Sequence, residues 1–368
     1  MIIVDIHYQE VERALKGHFD IAGGQSTSIH AILVRIHTDD GIIGIGEAVP
    51  MPAYSGQTIG DVIDALNGCL IPALLDAPIE SIEGLHQRMN AAIKEQPMAK
   101  AALDIAYHDV IGKMQGVPVY QLLGGAYRKM VPLSWAIGLG SPETIIHEAQ
   151  EAISRGFRTI KIKIGLDAER DLEVLARLRE SIGPDIQLRV DANEGYDYVT
   201  ARSTLQKMQA YTLQLIEQPL PRWDVRGIRD LRSSLDTPIL ADESLFTIQD
   251  AMMLIQENAA DLFNIKLMKL GGLRPALKVA AIAEAAGIPC MVGSMPELGV
   301  ATMAGVHFAK AIPGVSYPCE LIGPLMAKLG IVAGDLFSLQ NEEIVAIASS
   351  LPGLGLDLLP EVEEMFLC

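Results

Sequence analysis

Cysteine is scarce: four in 368 residues, at Cys69, Cys290, Cys319 and Cys368, with no Cys-x-x-Cys among them. That usage excludes a disulfide framework and a thiolate zinc site, and implies a reducing compartment, the cytoplasm. Cys290 and Cys319 lie in apolar stretches and read as small core residues. Positive charge is short as well, with 29 Lys and Arg against 46 Asp and Glu, a net charge of −17. Such a surface repels polyanions, so neither nucleic acid nor an anionic membrane is an expected partner. An anionic substrate would have to meet locally positive charge inside an acidic protein. No window holds the roughly 18 apolar residues of a membrane span. The opening Met1-Ile2-Ile3-Val4-Asp5-Ile6 has neither the basic flank nor the cleavage site of a secretory signal. No Gly-x-Gly-x-x-Gly or Walker sequence occurs, which disfavours a doubly wound nucleotide-binding sheet.

What is present is ample apolar content, 49 %, arranged in two rhythms. Residues 1–128 are predicted to form an α+β capping domain. Strands are expected over 1–11, 28–36 and 42–48, with long polar loops at 16–26 and 50–56. A helical pattern runs from 58 to 123, clearest over 98–114. Gly124-Gly125 and Arg128-Lys129 mark a boundary. From 129 to 345, apolar strand segments recur at 133–137, 159–164, 186–191, 213–217, 239–242, 262–266 and 289–292, and more weakly at 315–320. Helical patterns such as 144–154, 168–182 and 273–286 separate them. The fold class this predicts is α/β, a (β/α)7–8 TIM-like barrel. Residues 346–368, with Pro352-Gly353-Leu354-Gly355 and an acidic helix, are expected to pack back on the capping domain and complete it.

The chemistry centres on Arg158-Thr159-Ile160-Lys161-Ile162-Lys163-Ile164-Gly165. Alternation along a strand puts Lys161 and Lys163 on one face and the isoleucines on the other. A solvated edge strand would tolerate two amines, but the flanking isoleucines indicate a central one. There, a neighbouring cation and desolvation both favour a neutral amine, suited to a general base. In a barrel, catalytic groups sit at the C-terminal strand ends. Three successive strand ends carry a carboxylate: Val190-Asp191-Ala192-Asn193, Ile216-Glu217-Gln218-Pro219 and Ala241-Asp242-Glu243-Ser244. Any one of these acids could cap a helix. Together, evenly spaced, they would repel one another unless a hard divalent cation such as Mg²⁺ sat between them. The next strand ends in Asn264-Ile265-Lys266, which places Lys266 opposite Lys163 across the ion. Lys269 reads as a surface charge, and His108, on the apolar helix, as structural. Glu320 ends the last strand segment and could balance Lys266.

The ordered set Lys161-x-Lys163, Asp191-Ala-Asn193, Glu217-Gln-Pro219, Asp242-Glu-Ser244 and Lys266 resembles the enolase superfamily, muconate lactonizing subgroup. Asp39-Asp40-Gly41 followed by Gly44-x-Gly46-Glu47-Ala48 extends the resemblance into the capping domain. It implies that Asp191, Glu217 and Asp242 bind Mg²⁺ (or Mn²⁺ as a substitute), which holds a small-molecule carboxylate substrate. Lys163 and Lys266 would handle the α-proton on opposite faces through an enediolate. Lys161 would depress the pKa of Lys163, while Asn193 and Glu243 would support the ion and the lysines. Glu320, within Glu320-Leu321-Ile322-Gly323-Pro324-Leu325, stands where the lactonizing enzymes have a glutamate. The implied activity is an isomerase, muconate cycloisomerase-like. A racemase or epimerase of N-acylated amino acids, dipeptides or other amino-acid derivatives is the alternative, and an acid-sugar or hydroxy-acid dehydratase a further one. A binding scaffold that had lost its activity would lack ligands, and none is missing. Dipeptide epimerases of the subgroup carry Asp-x-Asp where this chain has Cys319-Glu320-Leu321, which counts against that substrate. Specificity is expected from the cap loops, in His18, Phe19 and Tyr54, and from Glu297 near the seventh strand. Relatives imply a homo-oligomer.

Overall fold

The computed structural model describes every residue except Ala22, Gly23 and Cys368; the side chains of His18 and Gln25 also lie outside the description. The N-terminal half of the capping region is a three-stranded antiparallel sheet of β1 (Ile3–Ile21), β2 (Gly24–Thr38) and β3 (Ile43–Ala48). Of residues 16–26, expected as a loop, 16–21 and 24–26 instead continue the ribbon. After a register shift between Ala14 and Phe19, Phe19 pairs with Ser26 and Asp20 with Gln25. Polarity and glycine signalled a loop, but the ribbon gains support from the barrel that the sequence does not display. Leu139 N–H donates to the Asp20 carbonyl at 2.8 Å, and glycine at 138 leaves room for the Asp20 backbone to approach. The segment at 50–56 holds one helical turn, Pro52–Ser55, which carries Tyr54.

The Gly44-x-Gly46 pair has a steric cause. The cap helix, Pro97–Gln115, lies so close to β3 that a Cβ at Gly44 or Gly46 would collide with the carbonyl oxygens of Ala106 or Ala102. Proline at its first turn and left-handed Gly116 at its end (φ 68°) bound this helix, and Met98 to Gly112 are buried throughout. Buried carboxylates fix its neighbours. Asp109 accepts N–H donors from Ile45 (2.9 Å) and Leu354 (2.7 Å). Glu47, on β3, accepts from Leu298 (2.5 Å) and Ala301 (2.8 Å) at the start of the barrel helix Val300–Ala311, where backbone donors stand free.

The second half is a TIM-like α/β fold. Seven parallel strands, each beside its sequence neighbour, run Trp135–Ile137, Thr159–Lys163, Gln187–Asp191, Leu213–Glu217, Ile239–Ala241, Leu262–Ile265 and Cys290–Val292. The faces turned away from Lys161 and Lys163 are apolar and buried, with Ile160, Ile162, Leu188, Val190, Ile216 and Ile239 among them, as expected of a sheet covered by helices. Residues 315–320 form only single parallel bridges, Val315 to Cys290 and Cys319 to Leu133. They still lie between the last and first strands, since Glu320 N–H donates to Val292 (2.9 Å) and Ser134 N–H to Cys319 (2.9 Å). Pro318 in their midst supplies no donor, which is why no regular ladder forms. From the C-terminal segment, Glu363 pairs with Arg35, Phe366 lies 4.1 Å under the same guanidinium, and Gly353 accepts from Val119 at 2.8 Å. Among the described residues no helix is long and apolar enough to cross a membrane.

A Gly46→Ala substitution tests the close approach of β3 to the cap helix. The added methyl meets backbone rather than a movable side chain, so the expected cost is at the upper end of overpacking, about 3 kcal/mol. The denaturant midpoint should fall at unchanged slope; an unaltered midpoint would refute the packing.

Candidate active site

Asp191 and Glu217 are direct ladder partners, and Asp242 comes just past the end of the next strand, where its N–H is held by Gln218 Oε1 at 3.0 Å. All three carboxylates are fully buried. None caps a helix, because the next helices along the chain are capped by other residues: Asp197, Asp224 and Thr247. The three acids are therefore free for a common task at the mouth of the barrel. Lys163 pairs with Asp191 in the ladder and Lys161 with Arg189, so both amines point to the barrel interior.

The amines fill the spaces between the acids. Lys163 Nζ stands 2.6 Å from Asp191, Lys161 Nζ 3.1 Å from Asp191 and 2.8 Å from Glu217, and Lys266 Nζ 2.7 Å from Asp242. Lys163 and Lys266 thus mark the two ends of the carboxylate row. Lys269, expected at the surface, is fully buried and donates to both the side chain and the carbonyl of Asp242 at 2.6 Å. It lies in the one-turn helix Leu267–Leu270, which folds it back beneath Lys266 rather than out to solvent.

These contacts set the electrostatics of Lys161 and Lys266. Burial alone would favour a neutral Lys161, but Glu217, Glu320 and Asp191 together hold its pKa well above the ordinary value. Lys266 is likewise raised, with Asp242, Glu217 and Glu243 outweighing burial. Lys161 is thus held as a cation by the acids that crowd in beside it. Among the acids, burial is overcome by Lys163 and Lys161 at Asp191, which is held down to about 2. Burial and Asp191 push Glu217 up to about 8 against the pull of Lys161. Glu243 is raised well above the carboxylate range by burial, then by Asp242 and Asp191.

The supporting residues fall in place around this row. Asn193 donates its amide to Glu243 Oε1 at 2.8 Å and its backbone N–H to Asp191 at 3.0 Å. Glu320 contacts Lys161 at 2.5 Å and lies 3.7 Å from Arg189; it balances Lys161, not Lys266. The sequence reading missed Arg189 and Asn264. Arg189 is fully buried below the lysines, bonded to Gln214 at 2.6 Å and the Pro318 carbonyl at 3.0 Å. Asn264 donates to Glu217 at 2.8 Å, and Gly293 leaves room for its amide. Both were discoverable by alternation, since each stands two residues before an assigned residue on the same strand face.

The cavity over the row is walled by Phe19, Ile21, Met51, Tyr54, Met295, Ile322 and Met326, with Lys161, Lys163, Lys266 and Glu320 at its base. Phe19 and Tyr54 come from the cap as expected: Lys163 Nζ lies 5.9 Å from the Phe19 ring centre and Lys266 Nζ 4.4 Å from that of Tyr54. The His18 side chain lies outside the described residues. Glu297 does not line the cavity; it is buried, and burial and then Glu47 raise its pKa well above the usual value. His108 is buried and bonded to Asp104, a structural position.

Among the described residues no group of three His, Cys, Asp or Glu is arranged to hold a metal ion as it stands, because ammonium groups occupy the gaps. The donor set nevertheless fits a hard divalent cation. It is all carboxylate oxygen, its acids repel one another, and Glu243 Oε2 and Asn193 Oδ1 are buried without a hydrogen-bond partner.

Comparison with known proteins agrees with this geometry. Residues 3–124 match the family model of the mandelate racemase / muconate lactonizing enzyme N-terminal domain, and residues 144–362 match that of the enolase C-terminal domain-like family. The chain is 36 % identical over 362 residues to N-succinyl-L-Arg/Lys racemase of Bacillus cereus, covering 97 % of this chain and 96 % of that protein. It is 34 % identical to chloromuconate cycloisomerase CbnB of Cupriavidus necator, covering 90 % of each. Dipeptide epimerase from Enterococcus faecalis V583, solved in complex with Mg and the dipeptide L-Leu-L-Tyr, superposes with a TM-score of 0.92 at 34 % identity, covering 97 % of this chain and all of that one. Divalent metal use is thus implied by kinship as well as by the donor set. The chain belongs to the muconate lactonizing subgroup of the enolase superfamily and is one of that superfamily's isomerases.

Proposed function

We propose that this isomerase is a racemase or epimerase, moving the α-proton of an amino-acid derivative from one face to the other. The observation that carries the reading is the placement of Lys163 and Lys266 at opposite ends of one buried carboxylate row, both opening on the same cavity. Asp191, Glu217 and Asp242 would hold Mg²⁺, or Mn²⁺ in its place. Bound there, the ion supplies positive charge for the second negative charge that abstraction places on the substrate carboxylate. Lys163 Nζ takes or returns the proton on one face and Lys266 Nζ on the other. Lys161, held charged by its acids, fixes Glu217 and Glu320, and Asn264 orients Glu217 from behind.

The cavity chemistry favours a substrate whose amino group is acylated. Three lysines line the base, and the lining carboxylate, Glu320, is already paired with Lys161 at 2.5 Å, so a free ammonium would meet like charge there. An amide nitrogen carries no such charge. Phe19, Ile21, Met51 and Met326 suit an apolar side chain. Kinship to a racemase of N-succinylated amino acids supports the same choice. The second reading, a cycloisomerase, draws on Glu320 and on the kinship to chloromuconate cycloisomerase. On either reading the division at residues 128 and 345 makes residues 1–128 the lid and residues 315–320 the eighth stave of the barrel.

Three outcomes are expected. In D₂O with Mg²⁺, proton NMR should show loss of the α-proton from both enantiomers of N-succinyl- or N-acetyl-leucine; consumption of cis,cis-muconate without any such exchange would establish the cycloisomerase instead. Lys163→Ala should cut turnover by the roughly 10²–10⁴-fold typical of a general base while circular dichroism stays unchanged; near-normal kcat would assign the proton to another group. Asp191→Asn should weaken Mg²⁺ binding, measured by calorimetry, beyond the roughly 10–100-fold that loss of an outer partner costs; unchanged affinity would remove Asp191 from the metal site.

A further inference from the structure

The two proton-handling amines are held in different ways. Lys163 is the last residue of its strand, Thr159–Lys163, and is held in the ladder opposite Asp191. Lys266 lies one residue past the end of its strand, Leu262–Ile265, and has no ladder partner. The chain then makes the single turn Leu267–Leu270, closed by Gly271 and Gly272 N–H donors to the Leu267 carbonyl at 3.1 and 2.9 Å. Both glycines adopt positive φ, 90° and 115°. The helix Leu273–Ala285 then starts with no side-chain cap of its own.

The missing cap comes from the other half of the molecule. Asp104, fully buried in the cap helix, accepts Leu273 N–H at 2.5 Å and Arg274 N–H at 3.4 Å. A Cβ at Gly272 would collide with the Asp104 carboxyl group, so the turn and the acid are fitted together. The carboxylate is steadied from its own side by His86 at 2.6 Å and His108 at 3.3 Å. The segment between this anchor and Lys266 is one self-bonded turn, which also carries Lys269 onto Asp242. Proton transfer by the two lysines makes no direct use of Asp104, His86 or His108.

We propose that Asp104 is a positioning residue for Lys266: the cap helix, through this carboxylate, sets the placement of one amine of the pair and leaves the other to the barrel. The inference rests on the two-lysine reading of the site. Its consequence is an asymmetry between faces. Loosening Asp104 impairs proton transfer at Lys266, while Lys163 continues to exchange the proton on its own side. A residue serving stability alone would weaken both faces together.

The test uses the full chain carrying Asp104→Asn, with His86→Ala as a milder variant of the same anchor should the first fold poorly. Acetylation by N-hydroxysuccinimide acetate is tracked residue by residue by mass spectrometry, and needs no substrate. Lys266 and Lys163 are equally shielded, each 7 % exposed, and each rate is compared with that of the same lysine in the wild-type chain. Lys266 should become several-fold more reactive with Lys163 unchanged; no change, or an equal rise in both, overturns the proposal. With N-succinyl-leucine in D₂O, Asp104→Asn should lose inversion by about 100-fold, as an ångström-scale misplacement does. It should still exchange the enantiomer facing Lys163. Equal loss of exchange from both enantiomers overturns the role. A wild-type chain inert toward this substrate would refute the proposed function, while the labelling still decides the role of Asp104.

Discussion

The site depends on buried acids and buried amines compensating one another at one level of the barrel. Asp191, Glu217 and Asp242 are fully buried, and four lysine ammonium groups lie within 3.1 Å of them. Neither set could be buried alone; removing partners leaves an uncompensated charge costing several kcal/mol, on the order of 3–5. The arrangement is also poised. A divalent cation among the acids would take over part of the neutralisation that the amines now provide, and on the proposed reading would free Lys163 and Lys266 to exchange protons.

Around this focus the fold does two things. The barrel fixes the row through ladder register, Lys163 beside Asp191 and Asp191 beside Glu217. The cap walls one side of the cavity and supplies the links to barrel helices. The ribbon of β1 and β2 rests on Leu139 and brings Phe19 over Lys163, and the turn Pro52–Ser55 brings Tyr54 over Lys266. Glu47 and Asp104 each cap a barrel helix from the cap side, so helix starts that lack their own caps become the points of attachment. Cap and barrel are therefore joined through buried charge-assisted hydrogen bonds rather than apolar contact alone.

The strand rhythm and the acids at successive strand ends were legible because alternation and burial impose them on sequence directly. Lys269 was misread as a surface charge because a lysine in a Gly-flanked loop usually is one; the one-turn helix that folds it onto Asp242 has no strong local signature. Residues 16–21 and 24–26 were misread as loop because their extended form is held by the distant Leu139, through Asp20. The partners of Lys161 were hidden for a related reason: Lys161-x-Lys163 shows two cations side by side, whereas the acids facing Lys161 (Asp191, Glu217 and Glu320) come from strands far along the chain. Glu297 stood close in sequence to a strand end yet turned toward Glu47, away from the cavity. Local pattern gave the face of each residue, and only tertiary packing gave its partner.

The central claim is that one divalent cation sits among acids from three consecutive strands with an amine at either end. Crystals of the chain grown with Mn²⁺ and measured at the manganese edge test it most directly. The account predicts a single anomalous peak coordinated by Asp191, Glu217 and Asp242 at about 2.0–2.3 Å, with the lysine ammonium groups moved out of the gaps between them. A peak elsewhere, or carboxylates still bonded to the amines at saturating metal, would contradict it.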